Sequence, residues 1–381
     1  MLDVALQEQI MKVAFFIGSL NRGGTETLVL DTFRCKEVAP YESILIYRSE
    51  GELSDAYRAT GVPMFRIKPP KFKIGYVTKL RRLLKEEDVD ILHTQTHLNA
   101  FIGVFCTCFS RVKLVVTYHG FTLSFLDRVY TQLGLWCADA SVFVSRYVKD
   151  WYLKRTVFAP RRRCHVVYNG IDFSKFDQTY DVPEFLENNG ATSPGIAKMA
   201  MVGNFSSARS QILICQALKI LKDRNVGNFR FYFVGKKTNS DLEEFDNCVN
   251  YCRDNGLLDT SVFFLGGRSD VPAILQHMDA FVYATNRDTF GIAVIEAVAS
   301  GLPAIVNDWE VMKEVTNNGE WAKLYKTMDV DDCADKIEEF LMNREQRKEA
   351  ALRHAEVVRQ RFSIENHILN LNEVYEKALE K

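Results

Sequence analysis

The chain has 381 residues, 47% of them hydrophobic, 12% aromatic and 25% charged, a globular composition that excludes a disordered, collagenous or low-complexity protein. That length favours two domains with full-sized cores, and no apolar run approaches the roughly 20 residues that a bilayer-spanning helix needs. The net charge of −1 conceals a basic half (residues 12–172, 24 Lys and Arg against 15 Asp and Glu) and an acidic half (residues 173–381, 24 against 32), so the first half either faces an anionic partner or merely carries uneven surface charge.

The first ten residues, MLDVALQEQI, hold two acids and no basic stretch, unlike a signal peptide, and Met11 opens the first strand-like run as a candidate start. Nine cysteines are scattered without a CxxC, which points to reduced thiols in a cytosolic setting rather than to disulfides or a zinc site. VAFFIG (13–18), SILIY (43–47), ILHTQ (91–95), KLVVTY (113–118), SVFVS (141–145) and HVVY (165–168) read as buried strands. Helical periodicity falls between them, at 26–36 and 75–87, and the alternation predicts a parallel sheet with right-handed crossovers.

The exits of these strands are where chemistry is expected. The first reads GSLNRGGTE (18–26). Gly24 stands where a Walker A motif needs its lysine, and Gly18, Gly23 and Gly24 are wrongly spaced for a dinucleotide fingerprint. What remains is a Gly-Gly entering a helix, either an approach for phosphate or a plain turn. The stretch KPPKFKIGYVTKLRRLLK (68–85) sets Phe72, Tyr76 and Leu80 among Lys and Arg, either for docking on an anionic membrane or as a solvated basic face. Asp88 and Asp90 form a DxD just before a strand, read as structural rather than metal-binding. TYHGF (117–121) puts His119 at a strand end, as a structural residue or as a hydrogen-bond donor near neutral pH.

Residues 173–196, with two prolines and the run NNGATSPG, read as an interdomain linker. Strand-like runs then resume: AKMAMVG (197–203), FRFYFVG (229–235), SVFFLG (261–266), AFVYAT (280–285) and PAIVN (303–307). Arg209 follows the first of these, and arginine grips phosphate with a bidentate fork. VGKK brings Gly235 and LGGRSD brings Arg268 to the next exits. In RDTFGIAVIEAVASGLPAIV (287–306), Asp288 and Glu296 are eight apart, about 12 Å along a helix, too far for one paired acid/base site. With Asp288 in the loop, the two acids would bracket a helix start whose amides at Phe290, Gly291 and Ile292 favour an anion. The tail at 363–381 is helical, with Ile364, Ile368, Leu371 and Val374 on one stripe.

Taken in order, GSLNRGGTE, YHGF, FVSRYVKDWY, VYNGIDFSKF, MVGNFSSAR and TFGIAVIEAVASGLPAIV resemble glycosyltransferase family 4. The resemblance covers most of residues 11–305 and the terminal helix. It implies the GT-B fold, two Rossmann-like parallel-sheet domains facing across a cleft. Residues 11–172 would form the acceptor domain, completed by the helix at 363–381, and residues 197–362 the donor domain. The family's E-x7-E motif falls on Asp288, which would contact the donor sugar, and Glu296, which would hold the ribose. The amides of Phe290, Gly291 and Ile292 would take the donor phosphate, with Thr289 beside them. His119 matches the histidine near the transferred sugar, and Gly23 and Gly24 the loop near the diphosphate; Gly235 and Arg268 join the expected donor contacts from the residues themselves, since the glycines of VGKK and LGGRSD would let a planar base lie close to the backbone. Of the family's basic pair, Arg209 is present and Asn204 stands at the other position; Asp at 288 is one methylene shorter than the motif's first acid.

The activity so implied is retaining transfer of a hexosyl or N-acetylhexosaminyl group from a nucleotide-diphosphate sugar, UDP-linked by preference. The acceptor is the hydroxyl of a glycan or lipid-diphosphate, as in capsule, other polysaccharide or glycolipid synthesis. The leaving diphosphate takes the proton of the incoming hydroxyl, with His119, Arg209 and Asp288 at the reacting centre. No metal or other cofactor and no nucleic acid is expected, and the protein would be cytoplasmic, at the inner face of the membrane where the acceptor requires it. A nucleotide-sugar epimerase of the same fold and a non-catalytic nucleotide-sugar binder are the alternatives.

Overall fold

The apolar runs become strands because parallel sheets are covered on both faces and tolerate continuous hydrophobic sequence. The computed structural model describes residues 10–68, 74–122, 124–157, 159–237 and 242–380. They form two α/β units, one running through Ile171 and including Ser363–Lys381, the other Asp172–Phe362.

The first unit holds β1 (Lys12–Phe16), β2 (Glu42–Tyr47), β3 (Met64–Arg66), β4 (Ile91–Thr94), β5 (Lys113–Tyr118), β6 (Ala140–Phe143) and β7 (Cys164–Val166). They pair in the order β3-β2-β1-β4-β5-β6-β7, each neighbour parallel to the next. The second unit holds β8 (Ala197–Val202), β9 (Phe229–Val234), β10 (Val262–Gly266), β11 (Ala280–Tyr283), β12 (Ala304–Asn307) and β13 (Lys323–Tyr325), in the order β10-β9-β8-β11-β12-β13. In each sheet the strand order reverses beside the unit's first strand, between β1 and β4 and between β8 and β11. Two three-residue edge strands, β3 and β13, escape the sequence reading, whereas β7, equally short, was read because it overlaps the apolar run HVVY.

An aspartate just before an inner strand ties down its neighbour. Asp90 Oδ2 accepts from the Lys12 amide at 2.8 Å, Asp139 Oδ2 from Leu114 at 2.9 Å and Asp279 Oδ2 from Lys198 at 2.7 Å. Asp88, the other acid of the DxD, adopts φ +53 and pairs with Arg111. Both acids therefore have structural occupations.

Helix Ile364–Leu379 starts at Ser363, whose side chain accepts from the Asn366 amide, and Ile364, Ile368, Leu371 and Val374 are buried in the core of the first unit. Helix Ile74–Glu86 buries Tyr76, Leu80 and Leu84 and leaves Lys79, Arg81, Arg82 and Lys85 exposed. Its apolar stripe thus faces the core, and Tyr76 and Leu80 do not share an outer face with the cations; Phe72 lies outside the described residues. Residues 173–196, expected as a linker, fold with the second unit. They contain a 3-10 turn at Phe173–Phe176 and helix Glu184–Asn188, with Leu186 buried. Among the described residues no helix is long and apolar enough to cross a membrane.

Candidate functional site

In the second unit the loops leaving β8 and β11 meet where the strand order reverses, the place where such sheets bind ligands. They are stitched together: Thr285 Oγ1 donates to the Ala208 carbonyl at 2.9 Å and the Asn286 amide to the same oxygen at 3.1 Å. Across this seam Arg209 Nη1 lies 3.6 Å from Asp288 Oδ2. The guanidinium also sits 5.3 Å from the centroid of the Tyr283 ring, a cation–π contact, and packs over Gly203, where an added Cβ would lie 3.0 Å from it.

Asp288 is held on all sides. Tyr283 Oη donates to Oδ2 at 2.7 Å, and the amides of Thr289 and Phe290 donate to Oδ1 at 2.7 and 3.2 Å. Its carbonyl accepts from Trp309 Nε1 at 3.2 Å. The short acid therefore folds back on its own loop in an Asx-type turn. This corrects one expectation: the Phe290 amide faces the Asp288 carboxylate, and its ring is buried 5.8 Å from Phe362.

Asp288 lies in the loop and helix Ile292–Ala299 begins after it, with Gly291 as N-cap at φ +84. The left-handed backbone favours glycine, and a Cβ there would also meet Met312 Cε at 2.6 Å. Glu296, on the second turn, is partly buried. Asp288 and Glu296 thus stand on either side of the helix start, with Gly291 and Ile292 between them.

The other expected donor residues divide. Gly235 lets two loops touch, since a Cβ there would lie 2.0 Å from the Gly203 carbonyl oxygen. Asn204 is exposed, and its Oδ1 clips the same loops together by accepting from the Lys236 amide at 2.9 Å. Arg268 makes a bidentate pair with Asp270 at 2.8 and 2.5 Å and lies 5.4 Å from the Phe185 ring. It lines a cavity of about 570 Å3 with residues 180–185, so the structure engages it with the 180–188 segment.

In the first unit, His119 follows β5, and its Nε2 donates at 2.7 Å to Oε1 of Gln95, at the end of β4. Burial, and then the neighbouring His367 and His97, lower its pKa to about 3, leaving a neutral imidazole at physiological pH. His367 is lowered to about 4, chiefly by burial, although its bond to the Tyr168 carbonyl opposes the shift. His93 joins this group, bridging Tyr375 Oη at 2.7 Å and Thr117 Oγ1 at 2.6 Å. Gly23 is the N-cap of helix Gly24–Arg34. A Cβ on Gly23 would meet Glu26 Oε2 at 2.5 Å, whereas at Gly24 it would meet open space. An acid of the chain's own thus already faces this helix start, and burial raises the Glu26 pKa.

Sequence reasoning missed Tyr283, Trp309 and Gln95, the residues that hold Asp288 and His119. Tyr283 is the only aromatic hydroxyl in AFVYAT, and its place as the last residue of β11 was the available signal.

Residues 22–175 match the family model described as Glycosyltransferase Family 4, and residues 186–355 that of glycosyl transferases group 1. A Campylobacter jejuni protein, N,N'-diacetylbacillosaminyl-diphospho-undecaprenol alpha-1,3-N-acetylgalactosaminyltransferase, is 34% identical over 278 residues, covering 68% of this chain and 69% of its own. The Escherichia coli UDP-Gal:alpha-D-GlcNAc-diphosphoundecaprenol alpha-1,3-galactosyltransferase is 27% identical over 305 residues, 75% and 76% of the two chains. Among solved structures, Anabaena HepE in complex with UDP and glucose superposes with a TM-score of 0.82 at 17% identity, covering 95% of this chain and 98% of that one. A Rickettsia africae glycosyltransferase gives a TM-score of 0.84 at 18% identity, covering 98% and 99%.

Proposed function

Because the chain belongs to glycosyltransferase family 4, with a group 1 glycosyl transferase region in its second unit, we propose that it moves a hexosyl or N-acetylhexosaminyl group from a UDP-sugar to a lipid-diphosphate-linked or glycan hydroxyl, with retention of configuration. The observation that carries this reading is the Arg209–Tyr283–Asp288 cluster at the reversal of the second sheet. Its cation is partly buried, oriented and suited to a diphosphate. Asp288 meets the sugar end of the donor and Glu296 its ribose. The names of the two bacterial relatives, both transferring to diphosphoundecaprenol-linked sugars, support the acceptor class.

In the reaction the bond between the sugar C1 and the diphosphate oxygen breaks, and a bond from C1 to the acceptor oxygen forms on the same face. The proton of the acceptor hydroxyl passes to the leaving diphosphate. Arg209 and the amides at the start of helix Ile292–Ala299 stabilise the charge that develops there. The charge on the diphosphate is met by the protein itself, so transfer proceeds unchanged in a chelator. The product belongs to a polysaccharide, capsule or glycolipid pathway, made on the cytoplasmic side of the membrane.

Titration calorimetry with UDP-, GDP- and ADP-sugars tests the donor. UDP-sugar should bind best, and Glu296→Ala should weaken UDP by about tenfold, the loss of one charge-assisted hydrogen bond. An unchanged UDP affinity in that variant removes Glu296 from the site.

A further inference from the structure

In the first unit the exits of β1 and β2 stay zipped together beyond the strands themselves. Ser19 and Ser49 form a parallel bridge. The Leu20 amide donates to the Ser49 carbonyl at 3.0 Å, and the Leu53 amide to the Leu20 carbonyl at 2.8 Å. Arg48 stands on this seam, its own amide donating to the Gly18 carbonyl at 2.9 Å. Its guanidinium packs over Gly18, where an added Cβ would lie 2.9 Å from Nη2.

Arg48 is partly buried, yet among the described residues its guanidinium pairs with no carboxylate and donates no hydrogen bond. The acids close by in sequence are committed elsewhere. Glu50 pairs with Arg58 at 2.8 Å and accepts from Tyr47 Oη at 2.8 Å, and Glu52 lies 3.8 Å from Arg22. The buried hydroxyl of Tyr76 does not satisfy the cation either. It lies within the field of Arg48, which opposes the rise of its pKa to about 12 that burial causes, but it has no hydrogen-bond partner among the described residues. A cation drawn out of water is ordinarily paired. Arg66, the last residue of β3, adds a second guanidinium at the same end of the sheet: its Nε donates to the Arg48 carbonyl at 3.4 Å and the residue is exposed. The carboxyl ends of β1, β2 and β3 therefore carry an unmatched arginine fork and an exposed one beside it, where sheets of this type take ligands.

We propose that Arg48, flanked by Arg66, binds the diphosphate of the acceptor, the anion whose oxygens a planar guanidinium fork matches. The proposal deepens the acceptor reading above and rests on it. In the order β2-β1-β4-β5 the exit of β5, which carries His119, lies three strand spacings from that of β2, about 14 Å. That span holds one sugar ring between a reacting hydroxyl at the β5 exit and a diphosphate at Arg48. The site thus selects an acceptor in which the sugar to be extended itself carries the diphosphate.

The donor is a diphosphate too, and saturating UDP separates the two by filling the donor site. The full chain, saturated with UDP, is titrated calorimetrically with inorganic pyrophosphate. Wild type should bind it, and Arg48→Gln should weaken binding by at least about tenfold, the loss of a hydrogen bond between two charged groups. Arg48→Lys keeps the charge without the fork and should recover part of that loss. Arg111→Gln removes the same charge beside Asp88, at the opposite end of the sheet, and should change nothing. Arg48→Gln should also unfold at the wild-type temperature or above, because it deletes a partly buried charge without a partner, and its UDP affinity should stay within about twofold. No pyrophosphate binding by the UDP-saturated wild type, equal binding in Arg48→Gln, or a loss shared by Arg111→Gln would overturn the proposal. Weakening of UDP in Arg48→Gln to the same extent as pyrophosphate would move the arginine to the donor diphosphate and overturn it as well. Should the chain have no affinity for UDP, the titration is run without nucleotide. A loss confined to the Arg48 variants then leaves this anion site standing and sinks the transferase reading instead.

Discussion

Replacing Tyr283 by phenylalanine deletes one oxygen and keeps the ring beneath Arg209. That oxygen donates to Asp288 Oδ2 at 2.7 Å. Tyr283 is fully buried, and the Asp288 side chain is only 13% exposed, so water has little room to take the place of the lost donor. A hydrogen bond to a charged group contributes about 1.5–3 kcal/mol. Because Asp288 keeps two amide donors and Arg209, the lower part of that range, about 2 kcal/mol, is expected for the second unit in urea unfolding. The loosened carboxylate should reduce the rate of sugar transfer by about tenfold. Affinity for UDP alone should stay within about twofold, because in the proposed site Arg209 and Glu296, not Asp288, hold the diphosphate and ribose. Unfolding within about 0.5 kcal/mol of wild type, the scatter of surface substitutions, would mean that Tyr283 does not restrain Asp288. Equal weakening of UDP and UDP-sugar would refute the placement of Asp288 at the sugar end.

Gly291→Ala adds a side chain at φ +84 and 2.6 Å from Met312 Cε; it should cost about 1–2 kcal/mol for the backbone and about 1–3 for the overlap. Met312→Ala should recover only the second part, so an identical loss in both backgrounds, measured by urea unfolding, would show that Met312 is not the obstacle. The histidines give an acid dependence of known sign. His119 and His367 have folded pKa values of about 3 and about 4, below the ordinary 6.5. The unfolded chain therefore binds protons first, and stability is full above pH 6.5 and declines as pH falls toward 4. Each histidine contributes a slope of about 1.4 kcal/mol per pH unit in that window. Urea midpoints for the first unit that stay flat from pH 6.5 to about 4.5 would contradict the burial of neutral imidazoles. The same shift predicts a transfer rate without a His119 titration near pH 6.5, checked by the pH profile of kcat/KM.

The inner strands were legible because β1, β5, β8 and β11 are short runs dominated by apolar residues. Arg209 and Asp288 were legible as chemical types at strand exits. Their mutual contact was not, because 79 residues separate them and only the reversal of strand order brings the two loops together. The hydrogen bond of Asn204 was illegible for a related reason: its partner is the amide of Lys236, on the neighbouring exit. The basic segment was readable as charge but not as orientation, since Tyr76 and Leu80 could face either way until the neighbouring helices existed to cover them.

The terminal helix also sets an order of events. Its apolar stripe, from Ile364 to Ala378, fills part of the core beneath β1, β5 and β6, yet nearly two hundred residues lie between it and Ile171. At about 5–20 residues per second, the first unit waits roughly 10–40 s after its last strand is synthesised before that helix exists. During this interval the second unit can complete its sheet from a continuous stretch of chain, while the first, emerging earlier, keeps an open seam at Val13, Val115 and Val142. The unit made first is thus finished last, and its seam is the surface a chaperone would find on the nascent chain.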